Sequence, residues 1–459
     1  MIATAEPAAA VPAYGMPAAR GFPLWPGSLL ALCVAFFAGC PVLANLAGAY
    51  IADGDSFAVT AACGCGMLLL MIIAAARIGI PAHIFSSMPW PLLAMTGIAV
   101  VFWAQWVAIN IFSPSPQVQM HYQIFQAGVW ILCPLTIFVL YRAWIDPWQV
   151  LRFMVLIATV FVLALTARWA LKLGFYQSGR WHAGKSLEAI RCGRYATMAL
   201  WTCGLACLCP PEVMPGRYKL VAMLCLPFAL LMMIAANARG PWLALAVTIA
   251  VTVLPLMRQI GLRIMNDARI LAVIGFAIAA IGGFVASQVG SMESDFNRLF
   301  TLTNDGGSAA GRVTLVHDHL QLLMNTPLAI FSGCGYGHGY FYPHNVIVEA
   351  LVNGGIVSCA LLLAMMAGTV LIWIFLARRD DVPVLVCFGL FIISLMGSEV
   401  SGSIGTDLTW YFPLLLILAV MRGQPLPVPA QDAHFPAAAP FPAAAPPPAP
   451  PEPAPAFAN

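Results

Sequence analysis

Apolar runs of about 15–25 residues recur between residues 28 and 421, separated by short polar connections. A helix rising 1.5 Å per residue crosses the hydrocarbon of a bilayer, about 30 Å, in roughly 20 residues. Lipid offers the backbone no hydrogen-bond partners, so each run is expected to satisfy its own N–H and C=O groups as a helix. The composition requires the same solvent. Of 459 residues, 61% are hydrophobic and 8% are charged, and the mean hydropathy is +0.88. Soluble chains carry about 25% charge, and no water-soluble core could enclose this much apolar surface. The expected fold class is an all-α polytopic membrane protein.

Twelve runs qualify as spans, near 28–50, 57–76, 90–112, 122–141, 153–171, 195–209, 220–236, 241–257, 270–287, 346–376, 382–397 and 409–421. The seventh and eighth are divided by NARGP at 237–241. Residues 1–23 are rich in Ala and Pro, with one Arg20, and lack the basic start and apolar stretch of a cleavable signal. Residues 424–459 are almost wholly Pro and Ala. Both ends are expected to be disordered and cytoplasmic.

Lys and Arg orient the spans, because cytoplasmic loops retain them. With the N-terminus inside, the inner loops hold Arg77, Arg142, Arg152, Arg217, Lys219, Arg258, Arg263, Arg269, Arg378 and Arg379, while most outer loops hold none. Three outer segments break the rule. Loop 168–195 carries Arg168, Lys172, Arg180, Lys185, Arg191 and Arg194 against Glu188, the turn at 237–241 holds Arg239, and loop 288–345 holds Arg298 and Arg312. Cations placed outside against this bias point to an anionic ligand.

The long outer loop has internal order. Residues 308–327, SAAGRVTLVHDHLQLLMNTP, read as an amphipathic helix capped by Ser308 and stopped by Pro327. Val313, Val316, Leu320, Leu323 and Met324 are expected on one face, laid against the membrane surface, with Arg312, Asp318 and Gln321 off it. A Gly-rich aromatic stretch, FSGCGYGHGYFYPHN, leads into the next span. His317 and His319 flank Asp318, but residues two apart point in different directions on a helix, which disfavours a joint metal site. The DGD at 53–55 is a rival metal–diphosphate motif and also an ordinary turn composition. Cys192 and Cys334 are read as loop cysteines able to pair. Cys203, Cys207 and Cys209 are read as a small-residue helix face.

The order "GR", an amphipathic helix ending in NTP, then GCGYG, then HNVIVEALVNGGIVS resembles the signature of the O-antigen ligase and polymerase superfamily of membrane glycosyltransferases. It covers about residues 308–358, and NARGPWLA at 237–244 resembles the family's arginine-bearing turn. The resemblance implies about twelve transmembrane helices and a glycosyltransferase domain over 24–423, with a long periplasmic loop containing amphipathic helices. It implies transfer of a glycan from undecaprenyl diphosphate, at the periplasmic face of a bacterial inner membrane, onto a sugar hydroxyl of lipid A–core. The catalytic histidine would be His344. The diphosphate would be held by Arg239 and Arg312, with Arg191 a third and Arg180 and Lys185 in support. Asn345 and Glu349, four apart on one helical face, would orient substrate or an arginine. No cofactor and no metal are expected. The partners would be the lipid-linked donor, the lipid A–core acceptor and membrane lipids, with no nucleic acid. Alternatives are an O-antigen polymerase, a protein O-oligosaccharyltransferase, or an anion transporter.

Overall fold

A computed structural model describes residues 147–264 apart from 178–179, 185–187, 210 and 212, then 309–334, 345–371, 373–374 and 382–401, with isolated positions between 31 and 73. Among them stand helices α1 (Pro147–Ala170), α2 (Ala189–Leu208), α3 (Gly216–Ala236) and α4 (Arg239–Ile264). Further along are α5 (Ala309–Asn325), α6 (Ala329–Ser332), α7 (Val346–Leu371) and α8 (Val382–Ser401). A short antiparallel hairpin, β1 (Phe175–Gln177) and β2 (Arg180–His182), joins α1 to α2. The described residues are therefore mostly helical, with this one short hairpin.

Stretches within α1, α3 and α7 are each long and apolar enough to cross a bilayer, with mean hydropathy of 2.4, 2.2 and 2.1. They mark the protein as membrane-embedded. Six of the twelve expected spans correspond to α1, α2, α3, α4, α7 and α8. The others, and residues 424–459, lie wholly or almost wholly outside the described residues. Six threonine hydroxyls inside these helices are satisfied locally: Thr159, Thr166, Thr197, Thr248, Thr252 and Thr369 each donate to the carbonyl four residues back. That bond removes a polar group from the packing surface.

Helix α2 is the centre of the bundle. It packs against α1, α3, α4 and α8, and fourteen of its twenty residues are buried. Small residues permit this. Pro241 of α4 sits against Gly193, leaving 2.8 Å between its Cγ and where a methyl on that glycine would lie. Helices α2 and α8 run antiparallel, with Arg194 donating to the Gly397 carbonyl at 2.8 Å and Trp201, two turns further, donating to the Val386 carbonyl at 3.2 Å. The Trp201 ring occupies the space where a side chain on Gly389 would stand. At the other end of the bundle Arg152 of α1 grips the Val213 carbonyl through Nε and Nη2, at 3.0 and 2.6 Å. Phe161 and Tyr195 meet edge to face between α1 and α2 at 5.4 Å.

Two expectations need correction. The helix at the expected sixth span begins at Ala189, not 195, so Arg191 and Arg194 are helical rather than loop residues. Their charges imitate a loop because α2 is enclosed by protein and need not be uniformly apolar. Cys192 consequently lies buried in α2, and it is not joined to Cys334 by a disulfide. Helix α5 occupies the expected residues; of its expected apolar face Leu323 is buried, and Val313 and Met324 are 70% and 82% exposed. Helix α5 packs on α7.

Gly389→Ala should push a methyl into the Trp201 indole and destabilise the protein by about 1–3 kcal/mol, the usual cost of overpacking. Thermal unfolding in detergent should show Gly389→Ala with Trp201→Leu losing less than the sum of the single changes. Wild-type stability for Gly389→Ala alone would contradict the packing.

Candidate functional site

The hairpin gathers several chain ends around the start of α2. Arg168, at the end of α1, donates through Nε to the Ala183 carbonyl at 2.5 Å, holding the strand exit over the helix. Trp169 donates to the Tyr176 hydroxyl at 3.0 Å. Trp181, 2% exposed, is the anchor that points inward, and β2 packs on both α2 and α3. Gly174, at φ +133°, lies against the Trp181 indole where a side chain would collide. Opposite faces of the hairpin therefore differ: Tyr176 and Trp181 pair on one, and Phe175, Arg180 and His182 share the other.

Arg180 pairs across the hairpin with Gln177 and is half-buried. Arg191 stands in the first turn of α2, half-buried, with the fully buried Arg194 one turn on. Two residues beyond Arg191, Gly193 meets Pro241, so the start of α4 abuts the start of α2. Arg239 is the first residue of α4. The break before it is shorter than expected: Asn237 ends α3 in the left-handed conformation, at φ 44° and ψ 43°, and only Ala238 intervenes. Asn tolerates that conformation better than most residues. The chain positions of Arg180, Arg191, Arg194 and Arg239 thus converge at one end of the bundle. Two helix N-termini open there, adding partial positive charge from unpaired N–H groups.

A second group of expected site residues lies on α5 and α7. Arg312 is on α5, which packs against α7. The Asn345 Oδ1 accepts from the Val348 N–H at 2.9 Å, which is the hydrogen bond of a helix N-cap. Glu349, 2% exposed, sits in the first turn of α7, where a carboxylate opposes the positive helix end. His344 immediately precedes this cap and lies outside the described residues, as do Lys185, Asp53 and Asp55 and the side chains of Arg239 and Arg312.

Among the described residues no group of three His, Cys, Asp or Glu could hold a metal ion. The two imidazoles of HDH take separate partners, His317 the Gln321 amide at 2.8 Å and His319 the Leu315 carbonyl at 2.7 Å.

Sequence reasoning overlooked His182. Its ring stacks on Phe175 at 5.0 Å, and its pKa is lowered, first by burial and then by Arg180, against an opposing pull from Glu188. The signal was present in FYQSGRWH, where Ser-Gly separates two short aromatic-bearing triplets in the manner of a hairpin. Arg194 was legible only as one more basic loop residue.

No protein-family model matches the chain, and no curated protein matches it.

With its folded pKa below the ordinary value of about 6.5, His182 stays neutral at pH 7, and its contribution to stability is present above about 6.5. That contribution falls as pH drops from about 6.5 toward the folded pKa, because the unfolded chain takes the proton first. NMR titration of labelled histidine should find Arg180→Gln raising the His182 pKa and Glu188→Gln lowering it further. Unchanged titration in both variants would contradict the electrostatic contacts.

Proposed function

We propose that the protein is a metal-independent O-antigen ligase of the bacterial inner membrane. In this role it moves a glycan from undecaprenyl diphosphate to a sugar hydroxyl of lipid A–core at the periplasmic face. The observation that carries the proposal is the convergence of arginine-bearing chain positions at one end of an apolar helical bundle. Arg180, Arg191, Arg194 and Arg239 belong to elements that meet around the start of α2.

The chemistry asks for such an end. Breaking the bond from the anomeric carbon to phosphate releases a diphosphate, whose growing charge must be stabilised as the bond lengthens. Guanidinium forks contact phosphate oxygens in pairs, and helix N-termini add aligned N–H groups. Arg239 and Arg312, with Arg191, are assigned to the leaving diphosphate, and Arg180 and Lys185 to its surroundings. His344 is assigned as the base that takes the proton from the acceptor hydroxyl. Asn345 organises the helix start directly behind it, and a neutral ring is favoured beside a positive helix end. The apolar bundle suits a substrate carried on a polyprenyl chain, which need not leave the bilayer to react.

At matched abundance in membranes, Arg239→Lys and Arg312→Lys should each lower transfer by roughly 10²–10³-fold, since a point charge cannot replace a two-pronged contact. His344→Ala and His344→Asn should both abolish it, and the wild-type rate should rise through a pKa at or below about 6.5. An active His344→Asn variant would leave the histidine only a capping role and remove the general base. Normal transfer by both lysine variants would reduce the arginines to nonspecific charge.

A further inference from the structure

The short helix α6 is joined to α7 at an unusual point. Gly355, inside α7, has φ 67° and ψ −168°, a conformation essentially closed to other residues, and it breaks the helix. Gly333, just after α6, has φ 76°. A methyl on Gly355 would strike the Phe331 carbonyl, and one on Gly333 would strike the Asn353 carbonyl, so the two backbones touch. At a break, ladder carbonyls need new donors, and the Val352 oxygen receives the Cys334 N–H at 2.6 Å.

The depth of this joint is informative. Gly355 lies nine residues beyond Val346, about 13 Å along the helix, whereas one leaflet of hydrocarbon is about 15 Å thick. Apart from Ser332, whose hydroxyl turns back to the Leu328 carbonyl at 3.4 Å, the surface around α6 is apolar: Leu328 is 74% exposed, Phe331 64% and Ile330 51%, with Met324 at 82% just before them. Beside the joint on α7, Ile356 and Val357 are half exposed, which continues the same surface onto a helix able to span the bilayer. The α6 backbone carries little polar cost, because the N–H groups of Ala329, Phe331, Ser332, Gly333 and Cys334 all have carbonyl acceptors. In hydrocarbon a backbone polar group has to find its partner within the protein, and these N–H groups do.

We propose that residues 324–334 form a re-entrant element. The chain descends from α5 into the leaflet where α7 begins, turns at α6, and is fastened at depth by the Gly333–Gly355 contact. Its exposed face, Met324, Leu328, Ile330 and Phe331, contacts lipid hydrocarbon. This goes beyond a helix lying on the membrane surface, and it does not depend on which reaction the protein performs.

The test is a nitroxide attached to Phe331→Cys and, separately, to His317→Cys, in full-length protein lacking its native cysteines and reconstituted in phosphatidylethanolamine–phosphatidylglycerol vesicles. At 331 the label should collide more often with oxygen, which partitions into hydrocarbon, than with a water-soluble nickel chelate; at 317 the order should reverse. If the cysteine-free protein does not fold, p-benzoylphenylalanine at 331 in the native-cysteine chain should photocrosslink to acyl chains. Preferential collision with nickel at 331, or crosslinking with no lipid adduct, would place the segment in water and overturn the proposal.

Discussion

The rest of the described structure depends on a buried arginine. Arg194 is 2% exposed on the central helix of a membrane-embedded bundle, where an unsatisfied guanidinium would be costly. It donates to the Gly397 carbonyl of α8, and Gly397 has no side chain because the guanidinium fills that space. Hydrogen bonds to charged groups contribute about 1.5–3 kcal/mol, so this contact fixes α2 against α8 in rotation and height. Two turns along, Trp201 repeats the pattern on Gly389 and Val386.

With α2 fixed, the arrangement of the site end follows. The Gly193–Pro241 contact sets where α4 begins, and with it Arg239. The same end of α2 carries Arg191 and receives the hairpin through Trp181 and the Arg168–Ala183 bond. Structural charge and the charge assigned to substrate are thus one helical turn apart on the same helix. Arg194 stabilises the scaffold, and Arg191 stands nearer its end, half-buried. The arginine-to-glycine packing also accounts for small residues recurring through α2 and α8: close backbone approach, more than hydrophobicity, holds helices together when the solvent is itself apolar.

Much of this was legible in the sequence, and the misses have physical causes. The runs at 153–171, 220–236, 346–376 and 382–397 appear as helices because span length and hydropathy report the solvent directly. The start of α2 was misread since its arginines are tolerated by neighbours that hydropathy cannot see. The glycines at 354–355 were visible, but their purpose depends on residues 331–334 folding back over them, a contact between segments twenty residues apart. Asn345 stood out as polar at a membrane boundary, and its oxygen is found capping α7. His344, to which the proposal assigns the general base, was singled out from sequence and lies outside the described residues.

The central claim is that arginines at one end of an apolar bundle, without a divalent metal, support glycan transfer between two lipid-borne substrates. Its most direct test is reconstitution of the purified protein in vesicles with a chelator, an undecaprenyl-diphosphate-linked glycan as donor, and lipid A–core as acceptor. The account predicts that lipid A–core acquires the glycan and that adding magnesium or manganese does not raise the rate. Transfer that requires restored metal, elongation of the lipid-linked glycan instead of the lipid A–core, or no transfer from an otherwise folded protein would contradict it.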